Sequence, residues 1–216
     1  MGGPALAKRL LARQPTLRVI FVSGYADEAI GEVPVDKEIA DALVQKTKSL
    51  REDDAAHARE HSLEVQLPFL QHRLGQFTFV PICLGAPRYE LCEEVGGAIA
   101  EVIRESDEPI GIIASSDLNH YEDQATTLKK DQLAIDQVVA RDPQALWRTV
   151  DEHDISMCGY IPTTTMLIAA NALGASSATL LKHATSGDVS GDYAHVVGYA
   201  SIKVSVRSGK LTFHQD

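Results

Sequence analysis

Three short, almost wholly apolar runs, residues 17–22 (LRVIFV), 77–84 (FTFVPICL) and 110–114 (IGIIA), constrain this chain most. Each is short for a helix and apolar on both alternating faces, the pattern of a strand covered by helices on either side. The segments around them carry apolar residues at three- and four-residue spacing. These are 5–12, 36–47 (Ile39, Ala40, Leu43, Val44), 63–74, with a kink expected at Pro68, and 89–104. Further helices are expected over 124–140, over 143–151, where Pro143 suits a first helical position, and over 161–173. Strands 178–183 and 195–206 close the chain and can pair as a hairpin around the Gly-rich turn 186–192. Strands and helices alternate, so the expected fold is α/β, with a central mixed, mostly parallel sheet flanked by helices.

Composition excludes several functions. With 216 residues, 44% hydrophobic and 23% charged, the chain is long and apolar enough to bury a core of its own. Its net charge of −10, without a basic stripe, argues against a nucleic-acid partner. No apolar run approaches the roughly 20 residues of a membrane-spanning helix, and the first residues lack the apolar stretch of a secretory signal. A cytoplasmic protein without membrane contact is expected. Cys83, Cys92 and Cys158 form no CxxC pair and are expected as reduced thiols. No GxxxxGK[ST] or GxGxxG occurs, so no conventional nucleotide motif is present.

The segment Ser115-Ser116-Asp117-Leu118-Asn119-His120-Tyr121 follows the apolar run 110–114 directly. Ligands of open α/β sheets bind beyond the carboxyl ends of strands, so His120 is a candidate general acid/base with Asp117 fixing its tautomer. The competing reading is a turn in which Asp117 or Asn119 caps the next helix. His57-Ala58-Arg59-Glu60-His61 matches the H-x-x-E-H zinc-protease pattern letter for letter, yet Pro68 follows seven residues later and an acidic stretch leads in. The local account is that His61 or Ser62 opens a helix with Glu64 in its first turn. Cys158-Gly159 stands just before a helical stretch, where the dipole lowers a thiol pKa and a thiolate can bind a soft or borderline metal. The alternative, a small buried hydrophobe, suits Cys83 and Cys92. Asp188, Asp192 and His195 could line a pocket mouth, although Gly-Asp pairs also make turns unaided.

Four segments in order resemble the Memo family, whose bacterial and archaeal members are called AmmeMemoRadiSam system protein B. They are residues 60–70 (EHSLEVQLPFL), residues 115–121, Cys158-Gly159 with Pro162, and residues 186–193 (SGDVSGDY) followed by Val197-Gly198-Tyr199-Ala200. The resemblance runs from about Gly31 to the C-terminus. It implies a fold similar to the class III extradiol dioxygenases, which use non-haem iron(II) held by two His and a carboxylate. In Memo proteins it implies two His from early strand ends plus a Cys as ligands, with a further His near the metal. Carried over, Cys158 is the thiolate ligand, His120 with Asp117 beside it is the acid/base of the pocket, and His61 lies near the pocket. Asn119, Asp188 and Asp192 are expected as pocket residues.

The two early His have no counterpart, since residues 1–30 contain no His. Residues 1–30 instead resemble a fragment of a response-regulator receiver domain, with Ser23 matching its switch hydroxyl but no phosphoacceptor Asp. They are expected to supply one helix and one strand, and residues 31–216 to form a Memo-like domain lacking its N-terminal part. The expected function is a degenerate metal site, or a module that binds a small-molecule ligand or a partner protein. The alternative is a redox enzyme dependent on non-haem iron or copper.

Overall fold

The computed structural model describes residues 18–23, 33–57 and 61–206. Strand β1 (Arg18–Ser23) is the middle of a three-stranded parallel sheet, paired with β2 (Thr78–Cys83) on one edge and β3 (Ile110–Ala114) on the other. The helix expected over 5–12 and the rest of the receiver-like stretch, apart from β1, lie outside the described residues.

Helices cover both faces of this sheet. On one face Ile20, Val22, Val80 and Ile82 pack against Ile39 and Leu43 of α1 (Lys37–Lys46) and against Leu91, Val95 and Ile99 of the long helix 89–105. On the other, Val19 and Phe79 meet Leu63 and Leu67. Those two leucines belong to separate short helices. After α2 (Asp54–His57) come α3 (His61–Glu64) and α4 (Leu67–Leu74), so the single helix expected over 63–74 is broken before Pro68 rather than kinked at it. A proline fits the first turn of a helix, where its missing N–H costs nothing, and the chain restarts there. His61 opens α3, in agreement with the helix-start reading of the H-x-x-E-H stretch.

Beyond α5 (Tyr89–Glu105) and β3 the chain builds a second layer. Strand β4 (His120–Glu122) is followed by α6 (Gln124–Ala140), capped by Asp123, and α7 (Pro143–Glu152), capped by Asp142 with Pro143 in its first turn. Helix α8 (Tyr160–Ala172) precedes β5 (Ala175–Thr185), the short α9 (Gly187–Ser190) and β6 (Val196–Val206). Strands β5 and β6 form the expected antiparallel pair. With β4 they make a separate three-stranded sheet, order β4-β6-β5. The fold is thus α/β with a parallel sheet, as expected, but among the described residues the hairpin is not hydrogen-bonded into that sheet. Helix α8 links the two. It is buried nearly all round, the signature of a helix enclosed by other elements, and it touches β1 and β3 as well as β5 and β6.

The amino end of β1 is anchored by charge. Arg18 bridges both carboxylate oxygens of Asp36, at 2.6 and 2.8 Å, and reaches Glu38 at 2.9 Å. Asp36 also caps α1 through Ile39 N–H and accepts the Thr78 hydroxyl, so it ties together β1, β2 and α1. Burial alone would raise its pKa, but the hydrogen bonds from Arg18, Ile39 and Thr78 outweigh it and hold the carboxyl below its ordinary 3.8. Asp36→Asn should therefore destabilise the protein by about 3 kcal/mol at neutral pH. Because the folded pKa lies below the unfolded one, this contribution is complete above 3.8 and fades as pH falls through the folded value. Urea melts of the two proteins should converge under acidic conditions.

Candidate metal centre

The site forms where the carboxyl end of β3 meets the amino end of α8. The chain leaves β3 through Ser115, which is buried, with its hydroxyl donating to Ser62 O at 2.7 Å and its backbone N–H donating to Val22 O. Ser116 then accepts the Gly159 N–H at 3.0 Å, and the Asp117 N–H donates to Cys158 Sγ at 3.3 Å. Two segments about forty residues apart are thereby locked together. Gly159 permits the approach, because a Cβ there would overlap Ser115 O and the Ser116 side chain.

One result is a cluster of three different donors. An oxygen of Asp117, a ring nitrogen of His120 and Cys158 Sγ all lie within 4.8 Å of one another. His120 Nε2 is 3.7 Å from Asp117 Oδ2, beyond hydrogen-bonding distance, and is buried without a partner among the described residues. Such an atom is costly unless something pairs with it. Burial raises the Asp117 pKa, with His120 opposing it. Burial also pushes the Cys158 thiol up, joined by the negative charge of Asp117 and opposed by the Asp117 N–H. Cys158 is exposed as a residue, yet desolvation of its thiol outweighs the favourable contacts, opposite in direction to the lowered pKa expected at a helix start.

The backbone of His120 is held by its neighbours. Its backbone N–H donates to Ser156 Oγ at 2.7 Å, and β4 pairs His120 with Val197 of β6. The next residue, Tyr121, has φ 61°, a conformation costly for a bulky side chain, at an irregularity in the β4–β6 ladder. Tyr199 of β6 also borders the cluster: burial and the charge of Asp117 raise its phenol pKa.

Other candidates serve structure. Asn119 is fully buried and does not face an open pocket: its amide donates to Glu122 and Thr127, its carbonyl oxygen accepts from Ser156, and its backbone N–H donates to Asp131. Asp188 accepts the Thr185 N–H and Asp192 accepts the Ala194 N–H, so both stabilise the exposed turn between β5 and β6. His195 is likewise exposed. His61 is 72% exposed beside Glu64, at 3.5 Å, and is not part of the donor cluster. Its helix touches the site instead through Ser62 O. Cys92 is buried, as expected.

The sequence reading missed the support beneath His120. Asp131, with no exposed surface, accepts the Asn119 N–H at 2.9 Å and pairs with His183 Nε2 at 2.8 Å. Gly198 lies directly against this carboxylate, leaving no room for a Cβ. The signal was an acid among Ala134, Ile135 and Val138 on the apolar face of a helix, a placement that needs a buried partner.

A family model described as Memo-like protein matches residues 20–203. The chain belongs to the Memo family. It is 47% identical over 174 residues to a MEMO1 family protein of Methanopyrus kandleri, covering 80% of this chain and 62% of that protein. It is 45% identical over 186 residues to one of Thermotoga neapolitana (86% and 65%) and 46% identical over 187 residues to one of Methanocaldococcus jannaschii (85% and 65%). This Memo-family chain thus spans a little under two thirds of the length of these relatives.

Gly159→Ala tests the junction. Overlap with backbone cannot be relieved by a rotamer change, so we expect a loss of about 2 kcal/mol in chemical denaturation and a changed rate of Cys158 alkylation.

Proposed function

We propose that this Memo-family chain is a metal-binding module in which Asp117, His120 and Cys158 together hold one divalent transition metal, iron(II) or copper(II). The observation that carries the reading is the partnerless His120 Nε2, facing a thiol sulfur and a carboxylate oxygen across a gap the size of a coordination sphere. A mixed sulfur, nitrogen and oxygen set suits borderline cations such as iron(II) and copper(II). The carboxylate brings the protein donors to three, the number usual in catalytic metal sites, although both early His are absent. A cation there also offsets the repulsion between Asp117 and the ionised form of Cys158.

The second reading is a metal-dependent redox enzyme, for which the metal would supply electron transfer or dioxygen activation. In that case Cys158 and Asp117 hold the metal, and the same free Nε2 of His120 moves protons at the substrate.

Anaerobic iron(II) titration with measurement of bound metal tests both. The first reading expects one iron per chain, with affinity falling about a hundredfold or more in His120→Ala and in Cys158→Ala while both variants retain their circular dichroism. No binding by the unaltered chain overturns both readings. Undiminished binding by His120→Ala with loss of metal-dependent oxygen uptake selects the second.

A further inference from the structure

A cavity of about 580 Å³ runs along β2, the strand at the opposite edge of the parallel sheet from β3. It is walled by α1, by the connection from α1 to α2 and by the first residues of α5. None of Asp117, His120 and Cys158 lines it. Its floor is apolar: Leu43, Ile82 and Leu91, buried members of the core below, all reach it. The volume is in the range of small-molecule sites, and an apolar floor that the surrounding side chains leave unfilled suits a ligand with a compact apolar body.

The rim is charged, and most of its charges are not matched to one another. Lys37, at the first position of α1, and Arg88, just before α5, make no ion pair or side-chain hydrogen bond among the described residues. Glu52, on the approach to α2, and Asp54, at its start, are unpaired in the same way. The other two rim charges are engaged: Asp53 accepts the Ala56 N–H at 3.2 Å and lies 3.6 Å from Arg51. His57 of α2 also lines the cavity, and its Nδ1 is buried without a partner among the described residues, a cost that stands until a polar group meets it.

Unmatched charges of both signs, an orphan imidazole nitrogen and an apolar floor fit a zwitterion with a peptide group in its middle. We infer that this cavity binds a short apolar peptide with free termini, about two or three residues long. Its carboxylate takes the guanidinium fork of Arg88, its ammonium takes Glu52 and Asp54, an amide group meets His57 Nδ1, and its side chains rest on Leu43, Ile82 and Leu91. A simple aliphatic anion would leave the two acids facing it, and an aliphatic amine would leave Arg88 unanswered. This site stands apart from the metal reading and is tested without metal.

The probe is the dipeptide leucyl-leucine, titrated calorimetrically into the whole chain in the presence of a chelator. One peptide is expected per chain, with affinity unchanged in Cys158→Ala. Acetylation of the probe's amine and amidation of its carboxylate should each weaken binding by about tenfold. Arg88→Ala should cost the free acid the same factor and the amide nothing further, because both changes remove one contact. Gly85 lines the cavity, and a Cβ there meets nothing within 4 Å. Gly85→Phe should therefore occupy the space and abolish binding without lowering the denaturation midpoint. Arg88 is exposed, so its variant reads the site should the Gly85 change disturb folding. Three results overturn the proposal: no binding by the unaltered chain, a blocked peptide that binds as tightly as the parent, or undiminished binding by Arg88→Ala.

Discussion

The contact of Gly159 with the Ser115 carbonyl and the Ser116 side chain is the constraint on which the site depends. A strand end and a helix start can approach this closely only if one of them lacks a side chain, and Gly159 is that residue. The hydrogen bonds from Gly159 to Ser116 and from Asp117 to Cys158 follow from the approach. With the sulfur held there, Asp117 and His120 fall within coordination distance because they leave the same strand two and five residues after Ser115.

Around this junction the protein invests buried polar groups, which cost free energy unless paired. Asn119 binds Ser156, Glu122 and Thr127, while Asp131 binds Asn119 and His183, so each buried polar residue holds the next. The chain of contacts ends at His120, whose Nε2 has no partner in the described residues. A network satisfied everywhere but at one nitrogen directs that nitrogen at a ligand, and this distinguishes the site from an ordinary polar turn.

Most elements were legible in the sequence because their signals are local. The run 110–114 and the periodicity of 124–140 coincide with β3 and α6. The break between α3 and α4 was less legible, since the apolar spacing of Leu63, Leu67, Leu70 and Leu74 continues through it, and helical spacing alone does not register an interruption of one turn. Among site residues, His120, Asp117 and Cys158 were identified and do converge. Asn119 was grouped with them by proximity in sequence, and Asp188 and Asp192 through the Gly-rich turn and the family resemblance, yet all three bond to backbone and buried side chains. Proximity along the chain does not say which way a side chain points.

The amino-acid sequence alone determined the α/β class, the family, and the segments that carry the chemistry, because periodicity and short motifs are properties of neighbouring residues. Tertiary structure decided that a carboxylate joins the thiol and imidazole as a third donor, that Asp131 and His183 support them from below, and that the described strands divide into two sheets. Those outcomes depend on distances between segments far apart in the chain, set by packing around α8, and no local pattern encodes them.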